Sequence, residues 1–220
     1  MNSRFVQLEH DFIQLADDDR AAQMEAYMRD RFPFFGIQTP QRRAVYKALL
    51  KEERVTKTVD WAFLQACWAD DRREFQYFVV DYLTALKKSL VFEDIPVLED
   101  FIRTKQWWDT IDALAKVVGS IGERDARVAS LMREWATDGD MWVRRVAILH
   151  QLGRKDRTDS TLLGDTVAPN LRSAEFFINK AIGWALREYS KTDPLWVQEF
   201  LVRNKRGLMP LSVHEASKYL

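Results

Sequence analysis

The apolar residues of this chain recur at helical spacing from end to end, and little interrupts them. Phe5, Leu8, Phe12 and Leu15 form one stripe at i, i+3, i+4 spacing. Trp61, Leu64 and Trp68 form another, and Phe78, Val79, Tyr82, Leu83 and Leu86 a third. Eight glycines and six prolines in 220 residues are too few for the turns of a strand-rich protein. The pattern predicts an all-α chain of about a dozen helices. They fall near 3–16, 20–31, 40–53, 59–70, 72–89, 94–103, 106–119, 124–136, 140–152, 159–168, 173–189, 194–204 and 211–219.

Start signals support this division. Thr39-Pro40 and Asp193-Pro194 each read as an N-cap followed by proline at the first helical position. Ser212 and Glu215 have the spacing of a capping box. Gly36, Gly119, Gly122, Gly153 and Gly207 read as stops. Helix pairs recur every ~35–40 residues, within the range of HEAT-type repeats. No Gly/Ser/Pro-rich linker divides the chain, so a single domain over 1–220 is expected. A plain helical bundle is the structural alternative. Repeat stacks curve and offer a concave surface to a large partner.

Composition narrows the function. No apolar run approaches the roughly 18–20 residues that span a bilayer. The N-terminal MNSRFVQLEHDF carries acids and no apolar h-region, so no secretion signal is expected. Cys67 is the single cysteine, which excludes a disulfide framework and a thiolate-rich metal cluster. A reducing, cytoplasmic setting is the expectation, and Cys67 on its apolar helix is expected to be a buried hydrophobe. His10, His150 and His214 are dispersed without ligand spacing, and no glycine-rich phosphate motif or nucleophile elbow is present. No metal and no cofactor are expected. The formal net charge is zero, which argues against a uniformly basic nucleic-acid binder. That zero sums a net of −4 over residues 1–100 and +4 over 101–220, so any anion-binding surface is expected first in the second part.

Three segments carry polar and aromatic residues off the core stripe. In SAEFFINKAIGWALREYS (173–190), Ile178, Ile182, Ala185, Leu186 and Tyr189 mark a core face. Phe177, Lys180, Trp184 and Arg187 fall on roughly the opposite face, a large aromatic between two cations. The bland reading is that Trp184 packs on a neighbouring helix while the cations reach to solvent along it. In QWWDTIDALAKVV (106–118), Trp107, Ile111, Leu114 and Val118 make the core stripe. Trp108 and Asp112 project together about 100° round from it. Arg145 lies in line with Met141, Ile148 and Leu152, where a bare charge is costly; it must find a carboxylate, a phosphate or solvent. Asp109 and Asp112 are the candidate carboxylates. In GIQTPQRR (36–43) a loop opens a helix, with Arg42 and Arg43 just behind its first turn, a generic phosphate-binding pattern that also starts ordinary helices.

The strings AYMRDRFPFFGIQTPQRR (26–43), TKQWWDTIDAL (104–114), WVRRVAIL (142–149) and EFFINKAIGWALREYSKT (175–192), with PLS at 210–212, resemble the bacterial DNA alkylation-repair glycosylases of the AlkD type. The likeness runs from the first helices to near the C-terminus. It implies HEAT-like helical repeats stacked into a curved, C-shaped α-solenoid that clasps duplex DNA; the sequence gives no sign of oligomerisation, so a monomer is expected by default. The likeness implies hydrolysis of the N-glycosidic bond of positively charged N3- or N7-alkylpurines, with the base remaining stacked. By position, Trp108, Asp112 and Trp184 become the catalytic cluster. Tyr27, Gln38, Thr39, Arg43, Arg145, Phe177, Lys180 and Arg187 become DNA contacts, Tyr27 within an early-helix element that some inactive relatives lack. Arg154, Lys155 and Arg157, in the 153–172 segment, are further candidate backbone contacts.

The chemistry suits those residue types. A cationic purine is already a good leaving group, so no general acid is needed. The sugar becomes oxocarbenium-like, as in other glycoside hydrolysis. A carboxylate can stabilise that charge and position water. Indole faces favour a cation by roughly 0.5–2 kcal/mol each. The alternative from another class is a non-catalytic helical-repeat protein that binds DNA structure or a protein. What discriminates the two is whether Trp108, Asp112 and Trp184 converge on one exposed concave surface beside Arg145 and Arg187.

Overall fold

The computed structural model describes residues 2–220. Among them there are fourteen α-helices and no strand, so the chain is all-helical. It divides into two compact units, the first ending at Ser89 and the second Leu90–Leu220. Among the described residues, no helix is long and apolar enough to cross a membrane.

The first unit holds α1 (Ser3–Ile13), α2 (Asp18–Tyr27), α3 (Thr39–Val45), α4 (Lys47–Thr56), α5 (Trp61–Ala69) and α6 (Arg73–Leu86). Its core is aromatic. Phe12 meets Phe35, Tyr46 and Phe75 at 5.9, 6.5 and 5.2 Å between ring centres. The predicted stripe of α1 loses Leu15, which lies beyond the helix end and is exposed. The helix expected over 40–53 breaks at Tyr46. That ring turns into the core against Phe78, and its hydroxyl donates to Asp81 at 2.6 Å. Thr39 is not the cap of α3: the helix takes in Thr39 and leaves Gln38, extended at ψ 150°, outside it. The chain enters α3 through Gly36 at φ +86°, where an added Cβ would stand 2.1 Å from the Asp17 carbonyl oxygen.

The second unit holds α7 (Ile95–Arg103), α8 (Trp108–Gly122), α9 (Arg127–Trp135), α10 (Met141–Leu149), α11 (Ser160–Val167), α12 (Phe176–Ser190), α13 (Pro194–Arg203) and α14 (Pro210–Ala216). Helices α8, α10, α12 and α14 pack each on the next as one row, with α9 against α8 and α10, and α13 against α12. This alternation is the repeat architecture in its simplest form. Two glycines set the spacing within the row. Gly119 lies inside α8 and does not stop it; a Cβ there would stand 1.8 Å from the His150 carbonyl oxygen. A Cβ on Gly183 of α12 would stand 2.5 Å from Glu215 Cβ on α14. Asp193 caps α13 as predicted, accepting from the Trp196 amide at 2.9 Å.

The Ser212/Glu215 capping box does not form. Helix α14 starts three residues earlier than such a cap requires, at Pro210, after Met209. Both side chains turn instead onto α12, where Ser212 Oγ donates to the Asn179 carbonyl at 2.9 Å.

Candidate functional site

The second unit gathers a charged cluster around Trp184. Arg145 points from α10 towards α8 and is buried, 2% exposed. Its Nε donates to Asp112 Oδ1 at 2.7 Å and its Nη2 to Asp112 Oδ2 at 2.8 Å. Its Nη1 donates to the Phe177 carbonyl at the start of α12. The costly charge on the apolar stripe is thus matched by a two-bonded carboxylate, the strong geometry for this pair. Asp112 itself keeps 19% of its side chain exposed. Trp108 stands one turn earlier on α8 and is half-buried.

Trp184 of α12, also half-buried, has two guanidinium groups near its indole. The Arg145 carbon is 5.7 Å from an indole ring centre and that of Arg187 is 5.9 Å. Both fall within the range of a cation–π attraction. The structure therefore brings Asp112, Arg145, Trp184 and Arg187 into one contiguous cluster, with Asp112, Trp184 and Arg187 partly open to solvent.

Glu215 organises the other side of the cluster. Its Oε1 accepts from Lys180 Nζ at 2.7 Å; its Oε2 accepts from Arg187 Nη1 at 2.8 Å and Lys218 Nζ at 3.0 Å. The Lys180 and Lys218 hydrogen bonds hold this carboxyl down to about 2. Sequence reasoning assigned Glu215 to a cap and missed this role. The available signal was a carboxylate followed by Lys218 in one helical frame; its partners on α12 are 28 and 35 residues away.

Phe177 departs from its expected place on an open face. Its ring packs on Trp107 at 5.1 Å and Trp142 at 4.9 Å, joining the residue that precedes α8 to the first turns of α10 and α12. Trp107 and Trp142 are buried. Arg154 also turns inward, donating to the Gly119 carbonyl at 2.5 Å and to Gln151 at 3.1 Å. Arg157 pairs with Glu123 at 2.9 Å, while Lys155 is exposed.

The remaining candidates belong to the first unit. Tyr27 closes α2 and is 71% exposed. It borders an open hollow of about 200 Å³ with Arg20, Met24, Phe34, Gln38 and Tyr77. Gln38 and Thr39 are exposed. Arg43 pairs with Asp81 through two hydrogen bonds of 3.0 and 2.8 Å but stays 60% exposed. The loop before α3 does not hold its amides open. Phe35 donates to Glu74 Oε2, and Gly36 and Ile37 to Glu74 Oε1, all at 3.0–3.1 Å. A buried carboxylate of the protein itself thus takes the amides of the loop, one residue short of the first turn of α3. Burial pushes the Glu74 carboxyl up, and these amides partly offset the shift. Cys67 is fully buried, and burial pushes its thiol up.

Comparison with known proteins places this arrangement. The family model described as DNA alkylation repair enzyme matches residues 8–220. A solved structure described as a predicted DNA alkylation repair enzyme from Enterococcus faecalis is 34% identical, with a TM-score of 0.85 over 93% of this chain and 96% of that one. AlkD2 from Streptococcus mutans, 19% identical over 78% of this chain and 90% of that one, shares the fold at a TM-score of 0.61. A second Streptococcus mutans protein, smu.31, is 17% identical over 81% of this chain and 95% of that one, also at 0.61. No protein of curated function matches. A family match over nearly the whole length, with a helical-repeat relative of high structural similarity, makes the assignment plain: the chain belongs to the DNA alkylation repair enzyme family.

Proposed function

We propose that this protein is a DNA glycosylase that hydrolyses the N-glycosidic bond of positively charged N3- or N7-alkylpurines in duplex DNA. The observation that carries this reading is the partly open cluster of Asp112, Arg145, Trp184 and Arg187, with Trp108 one turn from Asp112 on α8.

Departure of a cationic purine leaves positive charge on the deoxyribose. Asp112 is the group of the right sign to stabilise it. Its two oxygens each accept one bond from Arg145, and each keeps a second lone pair for sugar or water. Arg145 fixes the carboxylate's orientation, so little reorganisation is needed as charge develops. The faces of Trp108 and Trp184 bracket the sugar and favour its cationic state. Arg187 and Lys180, held by Glu215, take the adjacent phosphates, and Phe177 sets the start of α12 beside them. A phosphate reaching Arg145 contacts a guanidinium already committed to Asp112, so its part in DNA binding is mainly electrostatic. In the first unit, Tyr27, Gln38, Thr39 and Arg43 supply further contacts to the duplex. No protonation of the base is required, so the scheme uses neither metal nor cofactor.

The test is release of free alkylpurine from methylated duplex DNA by the unmodified protein and by Asp112→Asn. Release by the first, reduced about 10²–10³-fold in the second, supports the reading. Duplex binding without any release would make this a non-catalytic DNA-binding protein. Equal release by both would remove Asp112 from its role.

A further inference from the structure

The second unit carries a basic groove that the site described above does not use. It is an open depression of about 700 Å³ between the loop after α13 and the segment leading into α12. A backbone bond ties its two walls together, the Arg172 amide donating to the Gly207 carbonyl at 2.7 Å. Arg172 holds φ +64°, in the left-handed region, which a residue with a side chain adopts at a cost. Gly207 sits so close to the opposite wall that an added Cβ would stand 3.1 Å from Leu171 Cβ.

Four cations line the groove, Arg172, Arg203, Lys205 and Arg206, and no acid does. Arg203 has a distant partner, Glu199 at 3.9 Å, with both side chains more than 70% exposed. Among the described residues, no acid pairs with Arg172, Lys205 or Arg206. Other arginines of this unit are neutralised: Arg103 by Asp138, Arg127 by Asp125, Arg133 by Asp165 and Arg157 by Glu123. The ordinary explanation for cations here is a helix C-terminus. Helix α13 ends at Arg203, and the short turn Ala168–Asn170 ends just before Arg172. Each such end carries at most about half a negative charge. Two ends offset about one of the four cations and leave a clear excess.

The chemistry of that excess selects the partner. All four side chains are exposed, and none is fixed by a buried hydrogen bond. This is no cage for one small anion. It suits a polymer whose phosphates are spaced along a backbone and whose condensed counterions are released on contact. The groove also lies at the correct end of α12: Arg172 precedes Phe176 by one turn's length of chain, and the Phe177 carbonyl holds Arg145.

We propose that the groove between 168–172 and 202–207 takes the phosphodiester backbone of duplex DNA beyond the nucleotide at the Asp112–Trp184 cluster. The choice of DNA as the polyanion rests on the glycosylase reading; the groove and its uncompensated charge do not. Contact there anchors the duplex and leaves the chemical step alone.

The test compares the unmodified protein with Arg172→Gln/Lys205→Gln/Arg206→Gln on an undamaged duplex of about 25 base pairs, as a function of salt. The slope of log affinity against log salt should fall by about 2–3, at roughly 0.9 per phosphate contact. Lys116→Gln, an exposed lysine on α8, should change it by less than about 0.5 on the same scale. Single-turnover release of alkylpurine at saturating DNA should stay within twofold. An unchanged slope in a protein that still releases alkylpurine overturns the groove and leaves the glycosylase reading intact. A reduced slope in a protein that releases none supports the groove and overturns that reading. Failure of the unmodified protein to bind the duplex overturns the groove outright.

Discussion

The guanidinium of Arg145 and the carboxylate of Asp112 meet face to face across α10 and α8, through two hydrogen bonds of 2.7 and 2.8 Å. The arginine is buried; the aspartate is not wholly so. Each depends on the other in a different way. Arg145 needs Asp112 to be tolerated on an apolar stripe. Asp112 needs Arg145 to be held in one orientation.

That asymmetry makes Asp112→Asn a stability variant as well as a catalytic one. Removing one partner of a buried pair costs about 3–5 kcal/mol. For a chain of this size the melting temperature should drop by about 6–20 °C. The double variant Asp112→Asn/Arg145→Met should recover a good part of that loss while remaining inactive. Melting curves and alkylpurine release on the same samples separate the two effects. A double variant no more stable than Asp112→Asn would show that the pair is not what the buried arginine requires.

Trp184→Ala should act mainly on rate. An indole placed against developing positive charge contributes roughly 0.5–2 kcal/mol, so release at saturating DNA should slow about 2–30-fold. Weaker binding with an unchanged single-turnover rate would assign Trp184 to DNA contact alone.

Glu215→Gln should slow excision and also change affinity for undamaged duplex, because Lys180 and Arg187 lose the carboxylate that holds them where they take the adjacent phosphates. The neutral side chain no longer collects Lys180, Arg187 and Lys218, so Arg187 leaves its place beside Trp184. A merely structural glutamate would lower the melting temperature without slowing single-turnover release by folded protein. The carboxyl is held down near 2, below its unfolded value of about 4.3. Its contribution to stability is therefore full above the unfolded value and is lost as pH falls through the folded one.

Gly183→Ala should destabilise the packing of α14 on α12. The added methyl would overlap Glu215 Cβ at 2.5 Å and would also lie 3.2 Å from the Ser212 carbonyl oxygen, so the helices must part. Overpacking of this kind costs about 1–3 kcal/mol. Thermal melting checks it, and a melting temperature equal to that of the unmodified protein would contradict the close approach.

His150 sets part of the acid response. It is fully buried, its Nδ1 lies 2.7 Å from the Ala147 carbonyl, and burial pushes it down to about 3. Below its unfolded value of about 6.5 the unfolded chain takes up a proton that the folded one refuses. Stability should then fall as pH drops from about 6.5 towards 3, by up to about 1.4 kcal/mol per pH unit from this residue. Denaturant unfolding at pH 7 and pH 5 measures it; His150→Gln should show a shallower decline.

The helical class was legible in the residues alone, because burying one face of a helix forces an apolar spacing that any reader of the chain can see. Thirteen expected segments correspond to fourteen observed helices, the extra break falling at Tyr46, where the ring turns inward. The Trp184, Arg187 and Lys180 constellation was legible for the same reason: large and charged residues left the stripe together. Arg145 was legible as a problem, a charge among apolar neighbours, with Asp112 as one of two candidate answers. The choice between Asp109 and Asp112 belongs to tertiary structure, since it depends on how α8 and α10 are rotated against each other. So does the role of Glu215. In sequence it satisfied a local capping rule, but the start of α14 at Pro210 and the close approach at Gly183 turned it onto α12. The same holds for the loop before α3, whose amides are taken by Glu74 from 37–39 residues away. Periodicity reports which face of a helix is buried; only packing decides which charged groups meet there, because an ion pair is chosen by distance in space and leaves no spacing in the chain.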